Sequence, residues 1–365
     1  MTAADIFANA SASLNVDLNR IIENYETLAG QSKNANCAAV VKANAYGLGM
    51  DNVAPALYHN TNCTTFFVAN IIEAIELRTL LKDAVIYVFN GLFEDHIDLF
   101  VEHDIRPILN DLAQVALWQE QLEPCAIHFD TGINRLGFSE HETEQFLNTR
   151  NDLNVSLILS HLSSSDEPEN PANKHQLQKL QKISNTLPNI PASLCNSAGI
   201  FLGEEYHFDM LRPGIMLYGG NPRTLPLPGG IKNTFEIKGK ILQIRELKTG
   251  MSVGYNGIWT AQKPSRIAHI NVGYADGYLK LNEINGKVFL NGEIVSVIGK
   301  VSMDMIAIDI TDRIFDKISL KDEIELIGSN ITLEMASEVS TLGHYQLLTG
   351  IGHRLHKNYK LEAKA

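Results

Sequence analysis

The sequence predicts an α/β protein with an N-terminal TIM-type (β/α)8 barrel and a C-terminal all-β domain. Two observations predict this fold. Up to about residue 220, eight short apolar runs alternate with segments of helical spacing. Beyond that point, strand-like runs follow one another with no helix between them. A Pro- and Gly-rich linker at 221–230 separates the two patterns, so we place the barrel at 1–225 and the β-strand domain at 226–365.

The eight apolar runs are nearly continuous, which indicates strands that are buried on both faces of a parallel sheet. Eight βα units in about 200 residues are typical of a closed barrel. An open doubly wound sheet with one strand miscounted is the competing architecture. We favour the barrel because no G-x-G-x-x-G motif opens a helix. The runs are CAAVVK (37–42), TFFVAN (65–70), AVIYVF (84–89), IRPILN (105–110), CAIHFD (125–130), VSLILSHL (155–162), PASLCN (191–196) and HFDMLRPG (207–214).

The C-terminal domain shows consecutive strand signals. Asn291-Gly292 lies between two alternating apolar runs and predicts a type I′ hairpin. A helical segment is expected near 333–338. The strands are predicted within IKGKILQIREL, SRIAHINVGY, KVFLNGEIVSVIG, MDMIAIDI and DEIELIG.

Composition and charge exclude several classes of protein. Of the 365 residues, 45% are hydrophobic and 20% are charged, as in soluble globular proteins. The net charge of −12 would repel nucleic acid and anionic membranes. MTAADIFANASASLN does not resemble a signal peptide, and no apolar run reaches transmembrane length. We therefore expect a cytoplasmic protein with no nucleic-acid or membrane partner, whose four cysteines are reduced thiols, mostly buried.

Polar residues mark the ends of the predicted barrel strands. In a βα barrel, the chemistry collects at the carboxyl ends of the strands, where the loops converge. Five of the eight strand ends carry residues suited to an anionic ligand with a carbonyl group. These residues are Lys42, Arg135, His161, Asn196 with Ser197, and Arg212.

Lys42 closes the apolar run AAVVK. Partial desolvation at this position would lower the pKa of the amine and make it available to form a Schiff base. Taken alone, such a lysine more often extends its ammonium group into solvent. The small, glycine-punctuated loop ANAYGLG favours the functional interpretation, because it leaves space for a ring and allows Tyr46 to face inward.

Arg212 precedes Pro213, which favours an extended backbone, and Gly214 and Ile215 then offer N–H groups to a phosphate. Without its companions, Arg212 is equally well explained by a structural ion pair. His161 is by itself more often a core histidine than a catalyst. No second ligand accompanies it at metal-binding spacing, so we expect no metal.

Eight motifs together resemble the alanine racemase family of fold-type III pyridoxal-phosphate enzymes. VVKANAYGLG is similar to the cofactor-lysine signature of that family. No single motif is decisive, but eight in the family's order and spacing, from about residue 12 to the C-terminus, are highly specific. The other seven are FDTGINRLGF, LSHLSSSDE, CNSAG, RPGIMLYG, VGYNGIWTA, NVGYADGY and GKVSMDM.

The resemblance implies an isomerase that interconverts L- and D-alanine, with pyridoxal phosphate as its cofactor and two catalytic bases. Lys42 would hold the cofactor as a Schiff base and act on the D-enantiomer. Tyr255, which alone would be taken for a packing residue, would act on the L-enantiomer from the partner chain of a head-to-tail homodimer. The phosphate would be held by Tyr46, Ser197, Gly214 and Ile215.

The resemblance also implies further roles around the ring. Arg212 would face the pyridine nitrogen, and His161 would link Arg212 towards Tyr255. Arg135 would bond the ring oxygen and help to place the substrate. The enzyme would supply D-alanine for peptidoglycan. The substrate entry would be lined, from the partner chain, by Met303 and Asp304.

These roles are physically coherent. Racemisation needs a base on each face of the reacting carbon, because a single base that keeps its proton returns the same enantiomer. An arginine at the ring nitrogen stays charged and leaves that nitrogen unprotonated, which disfavours side reactions such as transamination. Tyr255 has an ordinary pKa of about 10, so nearby cations must lower it.

The sequence departs from the family's pattern at two positions. Many relatives carry a lysine, carbamylated in some, that braces the arginine matching Arg135, and here that position is His128. Some relatives have a phosphate-contacting tyrosine directly before a late arginine, and here His353 precedes Arg354. We therefore expect something other than the family's lysine, for example a bound anion, to hold Arg135, and the phosphate contacts at that corner stay open.

Other functions compete with the racemase. A fold-type III amino-acid decarboxylase would share the barrel and the lysine, but no C-D-x-x-D pattern follows Cys195. A racemase of broader specificity, which also acts on serine, stays an open alternative because the sequence does not give the volume of the substrate pocket. A non-enzymatic pyridoxal-phosphate carrier would have no need of the second domain with Tyr255. A class I aldolase-like lysine barrel would not explain the residues contributed by a partner chain.

Overall fold

A computed structural model of the protein describes residues 12–149, 152–223, 225–278, 285–311, 318–320 and 322–362. Residues 1–11, on which most of the signal-peptide argument rests, and Thr224 of the linker lie outside the described residues. The strands are β1 Ser13–Asp17, β2 Asn36–Cys37, β3 Ala39–Val40, β4 Thr65–Val68, β5 Val85–Val88, β6 Arg106–Leu109, β7 Cys125–His128, β8 Val155–Leu159, β9 Ala192–Ser193, β10 Met210–Leu211, β11 Phe235–Leu247, β12 Ser252–Val253, β13 Trp259–Thr260, β14 Ser265–Ile270, β15 Lys287–Leu290, β16 Glu293–Ile298, β17 Ile306–Asp309, β18 Glu323–Ile327 and β19 His356–Lys360. The α-helices are α1 Leu18–Ala29, α2 Met50–Asn60, α3 Ile71–Leu80, α4 Ile97–Glu102, α5 Leu112–Trp118, α6 Glu140–Asn148, α7 Pro171–Thr186, α8 Leu333–Ser340 and α9 His344–Thr349.

The unit Arg20–Lys232 is a closed parallel barrel. Strands β3 to β9 pair in sequence order, each parallel to the next. β10 pairs in parallel with β2, which together with β3 makes up the first barrel strand. Backbone hydrogen bonds join β10 to β9, from Asp209 N to the Ala192 carbonyl (3.0 Å) and from Arg212 N to the Cys195 carbonyl (3.0 Å). The predicted (β/α)8 barrel is confirmed.

Each of the eight predicted apolar runs contains a barrel strand. These strands are buried along nearly their whole length, as their continuous apolar sequences predict. Several helices begin at a residue whose side chain accepts the backbone N–H three positions later, which satisfies a donor that the helix leaves unpaired. These capping residues are Asn70, Asp111 and Ser139. Local sequence therefore fixes where several helices start and where the loops of the barrel face lie.

The other unit is dominated by antiparallel strands and joins Met1–Asn19 with Asn233–Ala365. Among the residues described, its main sheet has the order β14-β17-β16-β15-β18-β11-β1-β19. The long β11 pairs with β18 through residues 237–240 and with β14 through 241–247, which closes six strands into a ring. Asn291 and Gly292, with φ of +46° and +94°, form the predicted hairpin between β15 and β16.

The two units divide the chain differently from the single boundary at 225/226. β1 pairs antiparallel with β11 and parallel with β19, so the first described strand belongs to the β unit. The second break falls between Lys232 and Asn233. The helix expected near 333–338 is α8, and α9 follows it without having been predicted.

All four cysteines are free and buried, in agreement with the reduced thiols expected from their apolar surroundings. None of the helices described is long and apolar enough to cross a membrane.

Candidate active site

The residues that follow Lys42 form a left-handed helical turn. Their φ angles are +53°, +54°, +52° and +54° at Ala43, Asn44, Ala45 and Tyr46. A left-handed conformation costs a non-glycine residue about 1–2 kcal/mol, so tertiary contacts must hold this turn. The carboxylate of Glu73 does so, because its two oxygens accept the N–H groups of Ala43 and Ala69, each at 2.7 Å. Lys42 is thereby anchored between its buried strand and a braced turn.

Lys42 is half-buried at the end of the first barrel strand. Its Nζ lies 5.4 Å from the centroid of the Phe89 ring. Burial lowers the pKa of the Lys42 amine, and the positive charge of Arg135 lowers it further. The direction agrees with the prediction from its place in the sequence, and it favours the neutral, nucleophilic amine.

Arg212 is buried and its charge is not neutralised. In the described part of the chain its guanidinium has no carboxylate partner, and burial lowers its pKa to about 10. It lies 5.9 Å from the Phe67 ring centroid. Its hydrogen bonds go to the Ser193 hydroxyl and, at 2.6 Å and 3.5 Å, to the carbonyls of Ser160 and Leu194. None of these bonds reaches the His161 ring, so the link expected between Arg212 and His161 stays a prediction.

Five basic side chains influence one another at the barrel mouth. Burial is the largest cause that lowers the pKa of His161, and the charge of Arg212 is the next. Smaller contributions in the same direction come from Arg135, His128 and Lys42. His161 is therefore near all four of these groups, and because the pKa values of both histidines and of Lys42 are lowered, the positive charge of the mouth comes mainly from Arg135 and Arg212.

Two carboxylates, Glu73 and Asp130, are near enough to raise the pKa values of Lys42 and His128, but neither forms an ion pair with these side chains in the described part of the chain. Glu73 uses both oxygens on backbone N–H groups. One oxygen of Asp130 accepts the N–H groups of Gly132 and Ile133, at 2.8 Å and 2.9 Å. The mouth therefore suits an anionic ligand.

Ser197, Gly214 and Tyr46 form a compact cradle beside this cluster. The Ser197 hydroxyl accepts the N–H groups of Gly214 and Met216, at 2.9 Å and 3.3 Å. A Cβ at Gly214 would overlap the Tyr46 hydroxyl, so a larger residue here would displace the Tyr46 side chain. Ile215 begins a short 3-10 helix here. The predicted phosphate-holding residues are thus brought together.

The remaining predicted site residues lie in the β unit. Tyr255 and Met303 are 68% and 52% exposed. Asp304 accepts a hydrogen bond from Arg354 Nη1 at 2.8 Å. Arg354 also donates from Nε and Nη2 to the two carboxylate oxygens of the buried Asp276, each at 2.9 Å. Arg354 is therefore engaged with carboxylates that brace the loop carrying Met303 and Asp304.

Comparisons with known proteins show the family of this chain. The N-terminal domain of alanine racemase matches residues 16–222, and its C-terminal domain matches residues 234–359. The chain is 42% identical to an alanine racemase of Rickettsia canadensis, over 95% of this chain and 98% of that protein.

This chain belongs to the alanine racemase family.

Solved structures agree with the family assignment. The alanine racemase of Bartonella henselae, described with covalently bound pyridoxal phosphate, has a TM-score of 0.91 and 35% identity, over 96% of this chain and all of that one. The biosynthetic alanine racemase of Pseudomonas aeruginosa has a TM-score of 0.87 and 29% identity, with the same coverage. The family consists of pyridoxal-phosphate-dependent racemases.

The residues present fit the family's cofactor. Pyridoxal phosphate combines an aldehyde, an aromatic ring and a phosphate, and the barrel mouth offers an amine of lowered pKa, uncompensated cations and a hydroxyl-lined cradle. The residues that would contact it are Lys42, Tyr46, Arg135, His161, Ser197, Arg212, Gly214 and Ile215.

Some residues that build this candidate site were missed at the level of sequence. Glu73 had a usable signal, because it stands at the third helical position after the capping residue Asn70. Phe89 ends a predicted strand and Ser193 lies inside another, but neither type of residue is distinctive there. Asn110 had no signal beyond its place at a strand end.

Proposed function

We propose that this protein is an alanine racemase that interconverts L-alanine and D-alanine with pyridoxal phosphate held in the barrel mouth. The observation that carries the proposal is Lys42, a half-buried amine of lowered pKa that lies near the charge of Arg135 and beside the cradle of Ser197, Gly214 and Tyr46. Membership of the alanine racemase family supports it.

In this proposal, the protein's own residues hold the cofactor at three places. Lys42 Nζ attaches to it covalently. Ser197, Tyr46 and the backbone at Gly214 and Ile215 bind the phosphate. When bound, pyridoxal phosphate withdraws electrons from the substrate's α-carbon and so acidifies its proton.

Arg212 and Arg135 orient the ring in this proposal. Arg212 offers only N–H donors, and its pKa of about 10 keeps it charged at neutral pH. As the resemblance implies, it would donate to the pyridine nitrogen and leave that atom without a proton. Arg135 donates to the ring oxygen and helps to place the carboxylate of alanine. His161 connects Arg212 towards the second base.

Two bases move the proton. Lys42 Nζ, once the amine of alanine has replaced it on the cofactor, would take or return the α-proton on the face used by D-alanine. The Tyr255 hydroxyl of a second copy of the chain does so on the face used by L-alanine. The exposure of Tyr255 on its own unit supports its action on another chain. Met303 and Asp304 of that second chain line the substrate entry.

A homodimer with shared active sites is part of the proposal. One stretch of the β unit leaves large apolar side chains exposed, which is typical of an interaction surface. They are Met251, Tyr255, Ile258, Tyr274, Met303 and Met305. As the resemblance implies, we further propose that the enzyme works in the cytoplasm and supplies D-alanine for peptidoglycan.

The test is D-alanine formation from L-alanine by the purified protein, with and without added pyridoxal phosphate. We expect a cofactor-dependent approach to equal amounts of the two enantiomers. A protein that takes up the cofactor but does not turn over alanine would refute the substrate assignment and direct attention to serine or to decarboxylation. A protein that does not bind the cofactor would refute the role of Lys42.

A further inference from the structure

His128 ends β7 and is buried, with one ring nitrogen lacking a partner. The residue is 5% exposed. Nδ1 lies 2.8 Å from Asn110 Oδ1. Nε2 is shielded from solvent and has no hydrogen-bond partner within the described ranges. A buried polar atom without a partner is costly, so this atom calls for an explanation.

Asn110 fixes which nitrogen of His128 carries the proton. The Asn110 amide nitrogen donates to two carbonyls, those of Phe89 at 3.0 Å and Ile108 at 2.9 Å. Since carbonyls only accept, the amide cannot be turned round, and Oδ1 must face His128 as an acceptor. Nδ1 therefore bears the hydrogen and Nε2 presents a lone pair. Burial lowers the pKa of His128 to about 4, so the ring is neutral at pH 7.

The loop that carries Arg135 is built directly on His128. The loop spans residues 130–138, and it closes where Phe138 N donates to the His128 carbonyl at 2.7 Å. Gly137 has φ of +105°, and a Cβ there would come within 3.1 Å of the imidazole. The ring of His128 thus packs against the underside of this loop.

Two arginines are near enough for their charge to lower the pKa of His128, and they differ in availability. The terminal nitrogens of Arg212 already donate to Ser193, Ser160 and Leu194, and the proposed function assigns its remaining N–H groups to the pyridine nitrogen. Arg135 is exposed and makes no hydrogen bond to any residue that the structure describes. Of the two, Arg135 is therefore the available donor for Nε2.

We propose that Asn110 and His128 position Arg135, with the guanidinium of Arg135 donating an N–H to Nε2 of His128 when the barrel mouth binds pyridoxal phosphate. This inference rests on the proposed function and adds two positioning residues to it. A neutral acceptor leaves the charge of Arg135 uncompensated, so the guanidinium keeps its attraction for the anionic groups of the ligand while its direction is fixed.

The first test is nitrogen NMR of the histidine rings in the wild-type protein, before and after saturation with pyridoxal phosphate. We expect the neutral Nδ1–H tautomer of His128 throughout and a shift of the Nε2 signal on binding, which the Arg135→Ala variant lacks. An Nε2–H tautomer, or no shift, overturns the proposal. The same shift in Arg135→Ala also overturns it, because the ligand itself would then be the donor.

The second test is a double-mutant cycle on racemisation. His128→Phe keeps the ring and removes the acceptor, and we expect kcat/KM to fall about ten- to hundredfold, as for the loss of a hydrogen bond to a charged group. In the Arg135→Ala background the same substitution should have less than about a twofold effect, because its partner is gone. Equal losses in both backgrounds would show a merely structural role.

His207 provides the matched control. It is 4% exposed, its Nε2 lies 2.8 Å from the Ile200 carbonyl, and its Nδ1 is likewise buried without a partner in the described chain. His207→Phe should leave kcat/KM and the Nε2 shift of His128 unchanged.

If His128→Phe does not fold, His128→Gln supplies an amide oxygen in place of Nε2 and should retain activity within about fivefold. A wild-type protein that does not racemise alanine refutes the proposed function instead, while the NMR test of His128 still stands.

Discussion

Two arginines, one in each unit, differ in what surrounds them. Arg212 in the barrel is buried, bonded to a hydroxyl and to carbonyls, and not neutralised by a carboxylate among the residues described. Arg354 in the β unit is partly exposed and holds the carboxylates of Asp276 and Asp304. An arginine that is already paired with carboxylates stabilises its own loop. An arginine whose charge is not compensated can still attract an anionic ligand. The barrel mouth is thus built to receive an anion, and the region around Arg354 is built to hold its shape.

The same contrast extends to the two proposed bases. Lys42 is anchored between a buried strand and a turn held by Glu73, in a cluster of cations. Tyr255 stands exposed on its unit. The fold of a single chain preorganises Lys42. Tyr255, in the proposed homodimer, is placed beside its substrate only when a second copy of the chain binds.

The largest expected effect is that of Lys42→Ala. It should reduce racemisation by at least about 10³-fold, since both a base and the covalent attachment are lost. The visible absorption of the bound cofactor should disappear as well. Rate and absorption spectrum are measured on the same preparation, and a retained rate would contradict the role given to Lys42.

Tyr255→Phe comes next and separates the two bases. It should lower the rate about 10²–10⁴-fold, because one proton transfer is lost. Cofactor uptake should remain, since the residues that hold the cofactor lie in the barrel unit. Mixing this variant with Lys42→Ala protein tests the shared site, because a dimer formed from one of each regains one intact site. Failure of the mixture to recover any activity, with exchange of subunits verified, would count against the shared site.

The two arginines provide the third prediction. Arg212→Met should weaken pyridoxal-phosphate binding more than tenfold and change the unfolding free energy of the cofactor-free protein by less than about 1 kcal/mol, because an uncompensated buried charge is removed. Arg354→Met should leave pyridoxal-phosphate binding nearly unchanged and lower the unfolding free energy. It leaves Asp276 unpaired and should cost about 1–3 kcal/mol of stability. Cofactor titration and urea unfolding of both variants decide the matter. Equal effects of the two substitutions would remove the distinction between ligand-binding and bracing arginines.

The smallest effect concerns pH. The pKa of His128 is lowered in the folded state to about 4, from an ordinary value of 6.5. Below pH 6.5 the unfolded chain therefore binds a proton that the folded chain does not, and stability is lost as pH falls from 6.5 towards 4. Between pH 8 and pH 5, wild type should lose about 2 kcal/mol more than His128→Gln, at 1.4 kcal/mol per pKa unit. The unfolding free energy of both proteins is measured by urea unfolding at each pH. If it falls by the same amount in the two proteins, His128 is not held neutral.

Much of the barrel followed from local signals. Continuous apolar runs marked all eight barrel strands, and Asn291-Gly292 marked a hairpin that the structure contains. Placing Lys42 and Arg212 at strand ends was enough to bring them to one face, since parallel strands in a barrel all end at the same rim. The pairing of β1 with β11 and β19 was not predictable in this way, because it joins segments more than 200 residues apart.

The sequence by itself determined the βα alternation, the change to consecutive strands, and the set of cationic residues at the barrel mouth. These depend on hydrophobic period and on the identity of single residues, which are local properties. Only the tertiary structure decided that Ala43 to Tyr46 turn left-handed, that Arg212 has no carboxylate partner in the described chain, and that Asn110 sets the tautomer of His128. Each of these depends on which atoms from distant segments meet at hydrogen-bond distance, and tertiary packing sets those contacts rather than the local sequence.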